Sequence, residues 1–356
     1  MGKTLIVGGG LTGAALARLM QEAKITAGYA SEIIVWERNS LLGGRVMSRS
    51  FPKQREIHVD MGAQYWTPKS AHNEKCRQKL MQSGYLVPFA ESAIAQDPYK
   101  GSAKMHWVCP DGKGFRAVVE HLLEAIDTSF QLLDDKHIQV TTSDGEQEIV
   151  NALVLTCPIP NVLPILDKSC SLCIAPAIRR ALEDVKFSQR FAAAYVFEQK
   201  ANSFVQNLGW TAKYVLRDES DTIRFMCWDH LKKQTSKSMF PVLLVHTSVT
   251  FGSTYMDDTR NNDEILAMIT EALRNIMPSL PTEQHARLHR WRISQVSMPY
   301  KDPNEIEANS PSSYLLLNRN PPIIVAGDSF LGSYFDSCLT SAKDVADLLL
   351  RSSTTT

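Results

Sequence analysis

The chain has 356 residues, 44% of them apolar and 21% charged, which is the makeup of a globular enzyme of about two domains. Its 38 Lys and Arg are matched by 38 Asp and Glu. That balance argues against nucleic acid or an anionic membrane surface as the main partner, because both call for a basic excess. Small-molecule chemistry is the expectation that remains.

No apolar run nears the roughly 18–20 residues that a membrane-spanning helix needs. Gly2 could accept a myristoyl group, but Ile6 stands where that signal requires Ser or Thr. The seven cysteines are odd in number and scattered, and no Asn-x-Ser/Thr acceptor occurs. Both features fit a reducing cytosol.

In chain order, Thr4–Val7 reads as a buried parallel strand that runs into glycines, and Leu11–Ala23 as the helix after it. A second strand follows at Ile33–Glu37 and a helix at Phe115–Ile126. A third strand, Ala152–Thr156, is ended by Pro158 and Pro160. The Cys170–Cys173 pair lacks a second pair or clustered histidines, so it is read as reduced thiols and no metal is expected. Phe191–Phe197, Thr222–Trp228 and Val242–Val249 are long β-rich runs expected to form an antiparallel sheet. A helix is expected from Asp257 to Met277, stopped by Pro278. His285 and His289 are then placed on a helix face, without the Glu of a zinc-binding H-E-x-x-H. Ile323–Ala326 is a fourth nucleotide-type strand, and a helix from about Cys338 to Leu350 closes the chain. Nucleotide-type strands thus stand at both ends, with a sheet module between them.

Gly8-Gly9-Gly10-Leu11-Thr12-Gly13 fits G-x-G-x-x-G directly after a strand and at the opening of a helix. Such a turn brings backbone N–H groups and a helix N-terminus onto a pyrophosphate. Glu37 stands 24 residues past Gly13, where a carboxylate can accept from ribose hydroxyls. Gly43-Gly44-Arg45 adds a close-approaching backbone and a guanidinium fork for a phosphate oxygen. The short stretch Asp60-Met61-Gly62-Ala63-Gln64-Tyr65-Trp66 follows.

Taken together, Gly8–Gly13, Glu37, Gly43-Gly44-Arg45 and Asp60–Tyr65 resemble the amine-oxidase-like FAD enzymes, and among them the renalase-like branch. Thr156-Cys157-Pro158, Ser188–Phe191, His246–Tyr255, Trp291–Val296 and Phe335-Asp336-Ser337-Cys338 resemble segments of that branch in the same order. The resemblance implies an α/β fold with p-hydroxybenzoate-hydroxylase-like architecture. A discontinuous Rossmann-type FAD-binding domain (1–70, 104–166 and 286–356) would accompany an α+β substrate domain with an antiparallel sheet (71–103 and 167–285). It implies non-covalent FAD held by Gly8, Gly10, Leu11, Thr12, Gly13, Glu37, Arg38, Gly44, Arg45, Gly62, Ala63, Gln64, Tyr65, Thr156, Gly327, Asp328, Asp336 and Leu339. His246 and Gln295 are the candidates for positioning a nicotinamide. The implied reaction oxidises 2- or 6-dihydro isomers of NAD(P) to NAD(P)+, with O2 as the final acceptor.

Tyr65, Trp66, Trp291 and Tyr334 could line a site or pack a core; an amine oxidase acting on small amines would use such an aromatic cage. The chain also passes from Phe130 straight to Gln131, where relatives carry about a dozen further residues of adenine-side strand. A non-enzymatic variant with impaired FAD binding is the alternative which that gap suggests.

Overall fold

The computed structural model describes residues 2–27, 31–51, 54–68, 73–98, 105–110, 112, 114–123, 133–134, 137–141, 147–168, 172, 174–233, 240–303 and 311–353. The shortened segment near Phe130 and the Cys170–Cys173 pair lie outside the described residues. Two compact units emerge, each assembled from separated parts of the chain.

The first unit comprises residues 1–44, 119–187 and 295–356. Its five-stranded sheet has the order Tyr314–Arg319, Pro322–Ala326, Ala152–Leu155, β1 (Gly2–Val7) and β2 (Ser31–Trp36). The four nucleotide-type strands pair in parallel, and only the Tyr314–Arg319 edge is antiparallel. Leu5, Ile34, Leu153, Leu155 and Val325 pack on Ile159, Val162 and Leu182. Such strands have no solvent face, so their sequences are continuous apolar runs rather than alternating ones. Helix α1 (Leu11–Ala27) packs along the Phe335–Ser353 helix.

The second unit comprises residues 45–118 and 188–294. Its six strands run in the order Glu283–Trp291, Arg190–Phe197, Val242–Thr247, Ile223–Trp228, Ala212–Tyr214 and Ile94–Ala95. All pairs are antiparallel except the last. One face buries Phe191, Tyr195, Met226 and Val245 against Ile265, Ile269 and Leu273 of the Asn262–Ile276 helix. The opposite face carries Ala192, Ala194 and Leu244 beneath Phe51, Ile57, Val59 and Met61. The first three of those apolar groups belong to a ribbon of β3 (Ser48–Phe51) and β4 (Gln54–Asp60).

Several local expectations need correction. His285 and His289 lie on a strand, because Glu283–Trp291 pairs along Arg190–Phe197. Four residues apart is one face of a strand as well as of a helix, so the spacing could not separate the two. The expected Asp257–Met277 helix starts at Asn262, since Asn261 and Glu264 form a reciprocal capping box. The Val242–Val249 run ends as a strand at Thr247, where Ser248 caps a Val249–Tyr255 helix. Segments 45–70, 104–118 and 286–294 fall in the second unit and 167–187 in the first, a different partition from the expected domains. The ribbon's apolar face ties 45–70 to the six-stranded sheet, the packing of Val108 with Ile94, Ala212 and Phe225 ties 104–118 to it, and the continuous edge strand ties 286–294.

Candidate functional site

The glycine-rich turn after β1 is packed where a motif of this kind needs packing and open where a ligand would lie. Gly8 has φ +119°, a conformation L side chains rarely adopt. A Cβ on Gly13 would meet Gly8 O at 2.0 Å, so α1 can start there only with glycine. At Gly10, by contrast, a Cβ would meet no atom within 4 Å. Gly43 N donates to Gly9 O at 2.9 Å, which lays the Gly43-Gly44 turn along the loop. The α1 helix begins at Leu11, so the N–H groups of Leu11, Thr12 and Gly13 lie in a first turn with no intrahelical acceptors. These residues fit the pyrophosphate of a dinucleotide.

Glu37 follows β2 and accepts from Gly9 N at 3.1 Å and Asn39 N at 2.9 Å. Asn39 Nδ2 also donates to Oε1 at 2.5 Å, so Oε2 is the oxygen with a further lone pair for a ribose hydroxyl. Arg38 is exposed. The Thr156 hydroxyl donates to Val7 O and Gly8 O, both at 3.0 Å, so its side chain shapes the turn. Gly327 N donates to Ser341 Oγ at 2.8 Å, and Asp328, Asp336 and Leu339 are buried. Leu11 and Leu339 are packed by protein, and of the two only Leu11, in the first turn of α1, has a backbone N–H without an intrahelical acceptor. Tyr334 is 50% exposed, and Gln295 is exposed on the same unit.

The second unit holds the 60–66 stretch. A Cβ on Gly62 would lie 1.9 Å from Arg45 O, and Ala63 N donates to that oxygen at 3.1 Å. Arg45 itself donates from Nη1 to Ser294 O at 3.3 Å. The Gln64 amide donates to Asp60 O at 2.7 Å and Gly62 O at 2.9 Å, and its Oε1 accepts from Lys232 Nζ at 3.1 Å. Its side chain is therefore spent on shaping the loop. Trp66 is core, 2% exposed. The Tyr65 and Tyr214 hydroxyls are 2.6 Å apart.

Beneath this loop lies a quartet that the sequence did not reveal. Lys232 Nζ contacts Asp60 Oδ2 at 2.7 Å and Asp229 Oδ1 at 2.9 Å; Lys233 Nζ contacts Asp229 Oδ2 at 2.7 Å and Asp60 Oδ1 at 3.6 Å. All four side chains are 1–2% exposed. Ser48 Oγ donates to Asp60 at 2.5 Å, and Lys233 also donates to His58 O at 3.0 Å. Burial alone would raise the Asp229 carboxyl, but Lys232 and Lys233 outweigh it and hold it low. Burial likewise opposes the charge on Lys232, and Asp229 and Asp60 overcome it, raising that group. The two positive and two negative charges cancel within the core.

His246 Nε2 donates to Met61 O at 3.0 Å, and Trp291 Nε1 donates to the same oxygen at 2.9 Å. Burial pushes His246 down to about 4 against the partial opposition of that carbonyl, so the ring is neutral at physiological pH. The strand register sets His289, Ala192, His246, Phe225 and Tyr214 in one row on one face of the sheet. Tyr65 reaches this row through Tyr214 and through Phe225, whose ring centroid is 6.4 Å from its own. Of the two nicotinamide-positioning candidates, His246 belongs to this group and Gln295 to the other unit.

A parallel sheet with a glycine turn, an acidic residue at the end of β2 and an open Gly10 defines a dinucleotide-binding protein. The comparisons make that more particular. A model of an NAD(P)-binding Rossmann-like domain matches residues 6–81, and the model of the flavin containing amine oxidoreductases matches residues 98–350. The chain therefore belongs to the flavin containing amine oxidoreductase family and is an FAD-dependent oxidoreductase. It is similar to Renalase of Mus musculus, at 27% identity over 365 residues and 99% of each chain. In fold it is similar to the crystal structure of a putative protoporphyrinogen oxidase from Exiguobacterium sp. 255-15. That likeness has a TM-score of 0.69, 14% identity and 98% coverage of both chains. No helix among the described residues is long and apolar enough to cross a membrane.

Proposed function

We propose that the protein is an oxidase of misreduced nicotinamide dinucleotides, converting 2- or 6-dihydro-NAD(P) to NAD(P)+. The observation that carries this reading is the His246–Phe225–Tyr214 row. It presents a half-buried Tyr214 ring and a neutral, half-buried imidazole whose Nε2 proton is committed to Met61 O, with Phe225 packed between them in the core. Such a surface suits stacking and orientation of a planar nicotinamide, and hydride transfer needs orientation and exclusion of water more than a strong acid or base. FAD, held non-covalently, would supply the two-electron acceptor for the substrate's hydride, with O2 as the final acceptor and H2O2 as the product. Glu37 and the α1 N-terminus would hold the dinucleotide's ribose and pyrophosphate. Gly62, Ala63, Gln64 and Tyr65 would offer their backbone and the Tyr65 ring, and Gly327, Asp328 and Asp336 the remaining polar contacts. The similarity to mouse Renalase over nearly the whole chain also supports this reading.

The family model's own description favours a second reading, oxidation of small amines. Anaerobic mixing separates the two. Bleaching of the oxidised-flavin absorbance by 2- or 6-dihydro-NAD(P) and not by amines is expected. Bleaching by amines alone overturns the first reading, and a colourless protein that takes up no FAD overturns both.

A further inference from the structure

Some of the protein's arginines pair with acids, and others, such as Arg190 and Arg224, are held by backbone carbonyls. Arg179, Arg260, Arg274 and Arg292 each sit on a carboxylate. Among the described residues, Arg49 and Arg287 have none. Arg287 Nη1 donates to Ser50 O, which brings that guanidinium against the residue next to Arg49. Arg49 Nε points at Met47 Sδ, 3.1 Å away, and this leaves the outer fork of its guanidinium for another partner. His289 lies two residues from Arg287 on the same strand face, and Trp291 two residues further. The His289 and Trp291 rings meet edge-on at 4.3 Å. The grouping is electrostatically tense: burial first, then Arg49 and Arg287, push His289 down to about 4, and Arg49 adds to the burial that lowers Arg287. Half-buried like charges repel unless an anion joins them. Two forked donors beside an imidazole suit a phosphate group better than a carboxylate, because they match several oxygens at once.

We propose that Arg49, Arg287 and His289 form an anion site that receives a phosphate group of the nicotinamide dinucleotide substrate. This deepens the reading of the function given above and rests on it for the identity of the ligand. The placement supports it. His289 ends the same cross-strand row that carries His246, two strand spacings or about 10 Å away. Trp291, which meets His289 edge-on, donates to the same Met61 carbonyl that His246 holds.

The test uses FAD-loaded protein, so that the glycine-rich turn is already filled. Inorganic pyrophosphate is titrated calorimetrically into the wild type and into the Arg49→Gln/Arg287→Gln variant. At least tenfold tighter binding to the wild type is expected; equal binding overturns the proposal. KM and kcat are then measured for the dihydro isomers of nicotinamide riboside, nicotinamide mononucleotide, NAD and NADP. The variant is expected to raise KM at least tenfold for phosphate-bearing substrates, with kcat held and the riboside unchanged. A loss confined to NADP assigns the 2′-phosphate, and one shared with the mononucleotide assigns the 5′-phosphate. A KM raised equally for the riboside overturns the proposal. Should the double variant fail to fold, Arg49→Gln alone carries the same comparison. Failure of the wild type to oxidise any of these substrates strikes the functional reading, while the pyrophosphate titration still decides the anion site.

Discussion

Replacing Lys232 by Met keeps the length and apolar stem of the side chain and deletes only its charge. In the intact quartet its ammonium touches Asp60 at 2.7 Å, Asp229 at 2.9 Å and Gln64 Oε1 at 3.1 Å, with 1% exposure. Three acceptors then lose a donor, and two buried carboxylates are left with one cation, Lys233, between them. Breaking a buried ion pair by removing one partner costs about 3–5 kcal/mol, a large share of a typical total of about 5–15 kcal/mol. Adding Asp60→Asn restores neutrality, because Asp229 and Lys233 still pair at 2.7 Å. The double variant is therefore expected to regain about half of the loss. Denaturant titrations at pH 7 followed by circular dichroism measure both, with the Asp60→Asn single variant closing the cycle. A cost below about 1 kcal/mol for Lys232→Met, or a double variant as unstable as the sum of the singles, refutes the reasoning.

Other expectations follow from the same geometry. Gly10→Ala should leave the melting temperature of the apoprotein unchanged yet weaken FAD binding, because the added Cβ meets no protein atom. Gly13→Ala, whose Cβ would meet Gly8 O at 2.0 Å, should lower both the melting temperature and FAD affinity. A differential scanning and flavin-fluorescence comparison decides, and equal behaviour of the two variants contradicts the cradle. His246 has a folded value of about 4 against 6.5, so the unfolded chain takes up its proton first. Stability is then fully present above pH 6.5 and is lost as pH falls toward 4, by about 3 kcal/mol from this residue. His289 acts in the same direction. Denaturation midpoints that stay flat between pH 7 and 5 would contradict this. Trp291→Phe removes one of two donors on Met61 O and should cost about 0.5–1.5 kcal/mol in the same denaturation assay, the rest being held by His246.

What the sequence made legible was local. Four apolar runs beside glycine or proline became the parallel strands, and the glycine spacing named its own turn, because each signal lies within a few residues of its consequence. The quartet shows the opposite case. Asp229-His230-Leu231-Lys232-Lys233 reads as a solvated turn, since lysines are almost never fully buried without a partner. The partner, Asp60, is 172 residues away in the chain. Likewise His285 and His289 share one face of a helix or a strand alike, and only pairing with Arg190–Phe197 decides between them.

The zero net charge with which the chain presents itself conceals two different local arrangements. Around Asp60 the charges close on themselves, with Lys232 and Lys233 satisfied by carboxylates, a carbonyl and the Gln64 amide. Such an arrangement adds little net stability over well-packed apolar residues, yet it admits few alternative geometries. It suits a loop whose Asp60, Met61 and Gly62 carbonyls must all be turned inward. Around Arg287 the charges do not close, and among the described residues no carboxylate answers them. A closed cluster can only hold a shape, whereas an open one has binding energy left to give to something else. The two lie on one unit and are joined through the Met61 carbonyl, which His246 and Trp291 grip together. Among the described residues this corner holds no acid, which is the arrangement the proposed phosphate site requires.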